Sequence, residues 1–256
     1  MKQNIFSLEG KVTIVTGGHQ GIGKTVAGYL ADAGSDIVIF DMQDATEAAE
    51  EIAKEYGVRT KAYVCDVTKP EQVAEAVKAA AEYMGTLDFL FNNAGICQHK
   101  AAIECTPQEW KKVVDVNLNG IYFMATEFVR YLIANNKKGN IVNTASMSGT
   151  IVNVPQQQAS YNSSKAGVKH LTKSLAVEWA PYGIRVNSIS PGYIRTELFD
   201  SCGVSEDWIK FWEDSIPMNR LGSPTELAGA VIYLLSDAAT YTTGCDMLID
   251  GGFTVV

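Results

Sequence analysis

Short apolar runs alternate with longer amphipathic stretches along this chain. The short runs are rich in β-branched residues, as expected for strands buried on both faces of a sheet. They predict strands at 12–16, 36–41, 60–66, 87–92, 140–144, 185–189 and 246–249. The stretches between them predict helices at 21–33, 46–56, 71–84, 107–135, 159–180 and 225–236. This alternation favours an α/β fold in which a seven-stranded parallel sheet carries helices on both faces.

No linker, repeat or low-complexity segment divides the chain, so we expect a single domain over residues 1–256. The region at about 194–223 interrupts the alternation. It contains aromatic residues among charged ones, at Phe199, Trp208, Phe211 and Trp212. Two compatible interpretations are open. The region is a helical excursion that buries its aromatic side chains against the core, or it is a flap that closes over a substrate.

Composition and charge exclude several classes of function. The formal net charge is −8 with no basic block, so binding of nucleic acid through its phosphates is not expected. The apolar runs are too short to span a bilayer, and the N-terminus lacks the apolar core of a signal peptide. Five scattered cysteines form no C-x-x-C pair, so neither a metal site nor a disulfide framework is predicted. We expect a soluble, reduced, cytoplasmic protein.

A glycine-rich turn at 16–23 directly follows the first predicted strand and opens the first helix. Its glycines permit a tight turn and a close approach of a pyrophosphate, while the helix N-terminus supplies free N–H groups. The spacing is G-x-x-x-G-x-G rather than G-x-G-x-x-G. The predicted cofactor contacts in this turn are Gly17, His19, Gln20, Gly21, Ile22 and Gly23.

Two carboxylates follow the next strands. Asp41 ends the second strand, where it can accept hydrogen bonds from the adenosine ribose and would repel a 2′-phosphate. Because no arginine or lysine follows it directly, NAD(H) is favoured over NADP(H), although a simple turn-forming role for Asp41 remains open. Asp66, followed by Val67, can accept from the adenine amino group or cap the following turn.

Tyr161 and Lys165 lie four residues apart in a predicted helix and therefore share one face, about 5–6 Å apart at Cβ. At an effective dielectric of ~20, a cation at that range favours the phenolate by roughly 3 kcal/mol. Such a shift would let Tyr161 donate and accept a proton near neutral pH. The pair alone is common, and a surface ion pair is the alternative.

These motifs together resemble the short-chain dehydrogenase/reductase family, in its single-domain branch, over residues 10–252. The resemblance implies a doubly wound, Rossmann-type sheet. It also implies that Tyr161 is the general acid/base and that Lys165 lowers its pKa and holds the nicotinamide ribose. Ser146 would polarise the substrate carbonyl, and Asn117 would fix a water that links Lys165 to solvent.

The resemblance adds further cofactor contacts after the fourth and sixth strands. The backbone of Ile194 would bind the carboxamide, and Thr196 would lie near the phosphates. The implied contacts in these segments are Asn93, Ala94, Gly95, Pro191, Gly192, Ile194 and Thr196.

The loop between Ser146 and Tyr161 borders the substrate in this family. Ser148 is a second candidate for the catalytic hydroxyl, but Ser146 is favoured because it lies three residues before Gly149. Side chains of the loop could bind several substrate hydroxyls, and its sequence resembles sugar-alcohol dehydrogenases and ketose reductases. The candidate substrate residues are Ser148, Asn153, Gln156 and Gln158.

We therefore expect an NAD(H)-dependent oxidoreductase that interconverts a secondary alcohol and a ketone, with a polyol, sugar acid or ketose as substrate. The resemblance to the family also implies a homotetramer. One alternative is a 3-oxoacyl thioester reductase, which would usually prefer NADPH and present basic residues to its carrier protein. A hydroxysteroid dehydrogenase with an aromatic pocket is another. A cofactor-binding regulator without turnover is disfavoured by the intact catalytic set. His99 and Gln98, which follow Gly95, could border the substrate pocket, but a solvated loop is favoured.

Overall fold

The computed structural model describes residues 4–196 and 204–256. Across these ranges one parallel sheet of seven strands runs in the order β3-β2-β1-β4-β5-β6-β7. The strands are β1 (Val12–Thr16), β2 (Asp36–Asp41), β3 (Thr60–Val64), β4 (Phe89–Asn92), β5 (Gly139–Thr144), β6 (Ile184–Pro191) and β7 (Asp246–Ile249). The predicted doubly wound α/β fold in a single domain is confirmed.

Helices cover both faces of the sheet. They are α1 (Gly21–Asp32), α2 (Thr46–Tyr56), α3 (Pro70–Met84), α4 (Pro107–Val114), α5 (Gly120–Ala134), α6 (Ala159–Trp179), α7 (Glu206–Ser215) and α8 (Thr225–Leu235). One apolar cluster joins the sheet to α3, α5 and α6, with Phe128 and Leu175 buried in it. A second cluster joins the opposite face to α1, α2 and α8 through Leu30, Ile52 and Val231. Within the described ranges, no helix combines the length and apolarity needed to cross a membrane.

The prediction of a single helix at 107–135 is wrong. The structure instead has α4, a π-helical turn at Asp115–Asn119, and then α5. Thr106 caps α4 and exchanges hydrogen bonds with Glu109 as a capping box. The wider turn carries Asn117 with its side chain fully buried. Hydrophobic periodicity does not reveal a single π turn because the helix continues on both sides of it.

The sheet order reverses beside β1, which pairs with both β2 and β4. In open parallel sheets a ligand crevice forms at such a reversal, outside the carboxyl ends of the strands. The segments that leave β1, β4, β5 and β6 at this edge carry the glycine-rich turn, Gly95, Ser146 and Gly192. The fold thereby gathers motifs that are far apart in the sequence.

The region at 194–223 is described only in part, since residues 197–203, with Phe199, lie outside the described ranges. Its described part contains α7, which packs Trp212 into a small apolar cluster with Met147 and Tyr193. Trp212 is 1% exposed, whereas Phe211 on the same helix is 44% exposed. The helical excursion that buries aromatic side chains is therefore present.

Candidate active site

The glycine-rich turn packs so tightly against the end of β4 that side chains are excluded from it. A Cβ on Gly23 would lie 1.9 Å from the carbonyl oxygen of Gly17, and one on Gly17 would lie 2.9 Å from Cα of Ala94. Gly17 also has a φ of +67°, in the left-handed region that favours glycine. Thr16 Oγ1 holds the two segments together, because it accepts from the N–H groups of Asn93 (2.9 Å) and Ala94 (3.0 Å).

The first turn of α1 is open toward this edge. Gln20 is its N-cap residue and makes no capping hydrogen bond with its side chain. The first N–H groups of a helix have no partner within the helix, so they favour anions. Thr196 lies close by, with its side chain 3.8 Å from the Cβ position of Gly21. The glycine-rich turn, the N-terminus of α1 and the hydroxyl group of Thr196 together fit the pyrophosphate of a dinucleotide.

Asp41 lies beneath the turn. Its Oδ2 accepts from the N–H of His19 at 3.1 Å, and its Oδ1 accepts from the N–H of Gln43 at 3.0 Å. These bonds give it the turn-forming role, while the partly exposed carboxylate keeps further lone pairs for a ribose. The Nδ1 atom of His19 is buried without a hydrogen-bond partner in the described part of the chain.

Asp66 and Val67 lie farther along the edge, after β3. Asp66 Oδ1 accepts from both the N–H and the hydroxyl of Thr68, at 2.9 and 2.8 Å. The structure thus shows the turn-capping role that the sequence left open. Val67 is buried and lies against Gly120, whose Cβ position is 2.8 Å from its methyl group.

Tyr161 and Lys165 lie near the carboxyl end of β5. We call this edge of the sheet, with the glycine-rich turn, the cofactor edge. Lys165 is 3% exposed, and its Nζ donates to the carbonyl oxygen of Thr144 at 2.7 Å. That Nζ lies 5.7 Å from the centroid of the Tyr161 ring and 3.5 Å from the Cβ position of Gly95. Tyr161 makes a side-chain hydrogen bond with Ser146. The predicted acid/base, hydroxyl and cation are therefore neighbours.

The prediction that the pKa of Tyr161 is lowered is wrong for the protein without its cofactor. Burial raises the pKa of the Tyr161 phenol, Cys97 adds to that effect, and the hydrogen bond with Ser146 only partly offsets it. Burial also lowers the pKa of Lys165, to about 8. Because both side chains are buried, the loss of water around them outweighs the attraction between ammonium and phenolate.

Asn117 fixes the segment that follows Gly95. Its Oδ1 accepts from the N–H of Ile96 at 2.8 Å, and its Nδ2 donates to the carbonyl of Ile96 at 2.9 Å. The same Nδ2 also donates to Ser164 Oγ on α6, at 3.1 Å. The amide therefore ties β4's exit to the helix that carries Tyr161 and Lys165.

A cavity of about 190 Å³ opens between these residues, and we call it the substrate cavity. Tyr161 and Ser146 line it. Ile22, Pro191, Gly192, Ile194 and Thr196 also line it, so it adjoins the cofactor edge. The four candidate substrate residues of the loop line it as well, namely Ser148, Asn153, Gln156 and Gln158.

The polar side chains of this wall are bonded mainly to one another. Gln158 Nε2 donates to Asn153 Oδ1 and to Ser148 Oγ, each at 3.3 Å. Ser146 Oγ accepts from the N–H of Ser148 at 3.1 Å, and its hydroxyl also bonds with Tyr161. This geometry favours Ser146 over Ser148 as the hydroxyl at the reacting end.

Several lining residues were not among the predicted substrate residues. His99 lines the substrate cavity and lies edge-on to Trp208, with the ring centroids 5.5 Å apart, so the less favoured interpretation, that it borders the pocket, is the one observed. Tyr193 stacks on Trp212 with centroids 4.2 Å apart and rings inclined by 14°. Thr144 also lines the cavity, and its Oγ1 is buried with no partner among the described residues. Only the aromatic content of 194–223 hinted at this wall.

Known proteins resemble this chain along nearly its whole length. A family model described as enoyl-(acyl carrier protein) reductase matches residues 17–254. A sorbose reductase of Candida albicans is 46% identical, over 98% of this chain and 89% of that protein. A probable NADP-dependent mannitol dehydrogenase of Yarrowia lipolytica is 47% identical, over 97% of this chain and 89% of its own. The crystal structure of a short-chain type dehydrogenase/reductase from Mycobacterium marinum superposes with a TM-score of 0.94 at 42% identity, over 98% of both chains.

Proposed function

This chain belongs to the short-chain dehydrogenase/reductase family, and we propose that it interconverts a ketose and a polyol with NAD(H). It is an oxidoreductase that acts on alcohols and ketones with a nicotinamide cofactor. One observation carries the substrate class. The substrate cavity is lined both by Tyr161 and Ser146 and by the buried amide side chains of Asn153, Gln156 and Gln158.

The cofactor would be held by the residues at the carboxyl edge of the sheet. The glycine-rich turn and the N-terminus of α1 would bind its pyrophosphate, with Thr196 beside them. Lys165, close to Gly95, would bind the nicotinamide ribose. When bound, the nicotinamide supplies a hydride to the substrate carbon or accepts one from it.

Tyr161 would move the proton. Because burial raises its pKa, the phenol is protonated at neutral pH and can donate to a ketone oxygen during reduction. Ser146 would donate a second hydrogen bond to the same oxygen by turning its hydroxyl from Tyr161 toward the ketone. During oxidation Tyr161 would have to lose its proton first, so alkaline pH would favour oxidation.

The chemistry of the wall favours an uncharged polyhydroxylated substrate. Amide and hydroxyl groups can donate to and accept from the many hydroxyls of a polyol, whereas a steroid would offer them few polar atoms. Among the described residues that line the substrate cavity there is no arginine or lysine to pair with a sugar acid. The names of the two curated relatives, a sorbose reductase and a mannitol dehydrogenase, support the same class.

NAD(H) is proposed over NADP(H) because of Asp41. Its carboxylate is partly exposed at the end of β2 and accepts from two backbone N–H groups, so its position is fixed. A 2′-phosphate would meet this negative charge at close range. The mannitol dehydrogenase of Yarrowia lipolytica is named as NADP-dependent, so this residue is the point at which to test the assignment.

We also propose that the chain works as a cytoplasmic homotetramer and that the region 194–223 serves as a flap. Apolar side chains on α4, α5 and α6 support the oligomer, since Trp110, Tyr122 and Val177 are 42%, 45% and 78% exposed. Light scattering in solution would measure the mass of the assembly. A flap is supported by the contact of Trp212 with the loop carbonyl of Val154 at 3.3 Å. Slower proteolysis within α7 when cofactor and polyol are bound would test it.

The function is tested by a spectrophotometric screen with NADH and NADPH against ketoses, sugar acids, acyl thioesters and steroids. Reduction is assayed near neutral pH and polyol oxidation at alkaline pH. We expect ketoses with NADH to be the best pairs. Tyr161→Phe should lose at least about 100-fold in kcat, the range expected for positioned acid/base catalysis, while it still binds NADH. An acyl thioester as the best substrate, or full turnover by the Phe variant, would contradict the proposal.

A further inference from the structure

Tyr193 is held rigidly at the wall of the substrate cavity. It follows β6, is 8% exposed, and lines the cavity that contains Tyr161. Its ring stacks on Trp212 and meets the edge of Phe253 at a centroid distance of 5.3 Å. The position of its hydroxyl is therefore restricted by packing against two aromatic rings.

The orientation of the neighbouring amide is fixed by a group that can only donate. The indole Nε1–H of Trp212 is shared between Gln156 Oε1 and the carbonyl oxygen of Val154, each 3.3 Å from the nitrogen. An indole nitrogen is never an acceptor, so the carbonyl of Gln156 must face Trp212. Its Nε2 then faces Tyr193 and donates to the phenol oxygen at 2.9 Å.

A second amide donates to the same oxygen. Asn153 Nδ2 lies 3.1 Å from the Tyr193 hydroxyl, while Asn153 Oδ1 accepts from Gln158 Nε2. A phenol oxygen accepts two hydrogen bonds and donates one. With both acceptor positions occupied, Tyr193 can act toward any further group only as a donor.

The hydrogen of that donor has no acceptor among the hydrogen bonds of the described residues. Burial raises the pKa of Tyr193, so the phenol keeps its hydrogen at neutral pH. A donor that is not used within the protein can bind a ligand oxygen without breaking a protein hydrogen bond. The substrate cavity is the space beside it from which such an oxygen can come.

We propose that Tyr193 donates a hydrogen bond to a hydroxyl oxygen of the substrate that is remote from the reacting carbon, and that it thereby sets the preference for long polyhydroxylated substrates over short hydroxyketones. This inference rests on the proposed function. Tyr193 touches the substrate but not the transferred proton, so it acts on specificity rather than on the chemical step. Trp212 contributes indirectly, because it keeps the carbonyl of Gln156 away from the Tyr193 hydrogen.

The test compares two substrates in purified Tyr193→Phe, which keeps the ring and its stacking. One is a six-carbon ketose, D-fructose or L-sorbose, and the other is hydroxyacetone, which has the carbonyl and one neighbouring hydroxyl only. We expect KM for the ketose to rise about tenfold with kcat within about twofold, as for the loss of one hydrogen bond. The kinetics with hydroxyacetone and the affinity for NADH should be unchanged.

The matched control is Tyr63→Phe, which removes another partly buried hydroxyl, one that donates to the carbonyl of Ala79 at 3.1 Å. It should leave the ratio of kcat/KM for the two substrates as in the wild type. A second variant is Trp212→Phe. Without the indole donor, Gln156 can turn its carbonyl to accept from Tyr193, so the ketose should lose affinity selectively even though Tyr193 is intact.

Equal losses for both substrates in Tyr193→Phe would overturn the inference, because they would indicate a purely structural role. Unchanged kinetics would overturn it as well. If the wild-type protein reduced hydroxyacetone and the ketose and only the selectivity failed to move, the proposed function would stand without this inference. A wild-type protein that reduced neither would remove both.

Discussion

The nucleotide end of the site and the substrate wall are built in different ways. At the nucleotide end, Gly17 and Gly23 come from one turn and matter because they have no side chain. At the wall, Gln156, Tyr193 and Trp212 come from three separate segments and matter for the hydrogen bonds that their side chains exchange. The first region depends on excluded volume, and the second on donor and acceptor capacity. A single methyl group should therefore disable the first, whereas changes in the second should be graded.

The sharpest way to break this comparison is Gly23→Ala. Its Cβ would lie 1.9 Å from the Gly17 carbonyl oxygen, and backbone there cannot yield without opening the turn. We expect the affinity for NADH to fall by more than about 100-fold, together with a loss of about 1–3 kcal/mol in the free energy of unfolding. Fluorescence titration and thermal unfolding would measure the two effects.

Gly28→Ala is the matched control on the same helix. A Cβ there would meet the Tyr56 ring at 3.5 Å, an ordinary contact, and alanine favours a helix by about 1 kcal/mol over glycine. This variant should bind NADH normally and unfold at a slightly higher temperature. NADH binding by Gly23→Ala within about threefold of the wild type would show that the turn is not sterically determined.

The same difference explains what the sequence could predict. The turn at 16–23 is contiguous, and its glycines, the strand before it and the helix after it are all visible in one short window. The seven strands were predicted for a related reason, since each is a short β-branched run whose burial on both faces leaves a local pattern.

The substrate wall leaves no such local pattern. Asn153 and Gln156 were predicted to face substrate hydroxyls, yet both donate to Tyr193, which is 40 and 37 residues away. Only the folded chain shows which partner each amide selects. The prediction of the Tyr161 pKa was wrong for a similar reason. The spacing to Lys165 is local information, whereas burial depends on β5 and the segments around the cavity.

Lys165 lies where the two regions meet, and its burial should weaken the fold. A pKa lowered from 10.5 to about 8 corresponds to a cost of roughly 3 kcal/mol for keeping the ammonium charged at neutral pH. Part of that is offset by the hydrogen bond to the Thr144 carbonyl. We expect Lys165→Met to abolish turnover yet raise the free energy of unfolding by about 2 kcal/mol at pH 7, which thermal unfolding would detect.

The burial of Lys165 should also make the free energy of unfolding depend on pH. Between pH 8 and 10.5 the unfolded chain holds the Lys165 proton more tightly than the folded one, so wild-type stability should rise with pH across that window. The advantage of the Met variant should shrink over the same window. Lys169→Met is the control one turn along α6, where Lys169 pairs with Asp246 at 3.0 Å, and it should be destabilising. Destabilisation by Lys165→Met as well would contradict the assigned cost of burial.

The smallest effect should come from Asp41→Asn, which removes a charge from the nucleotide end without adding volume. The amide can still accept one of the two hydrogen bonds from His19 and Gln43, so the turn should persist. Without the negative charge, the ratio of kcat/KM for NADH over NADPH should fall by about tenfold, or roughly 1.4 kcal/mol.

Asp66→Asn is the control, because Asp66 caps the turn at Thr68 and would contact the adenine that both cofactors share. It should change both cofactors equally and leave the ratio intact. A tenfold preference of the wild type for NADPH, or an unchanged ratio in Asp41→Asn, would show that this carboxylate only shapes the turn.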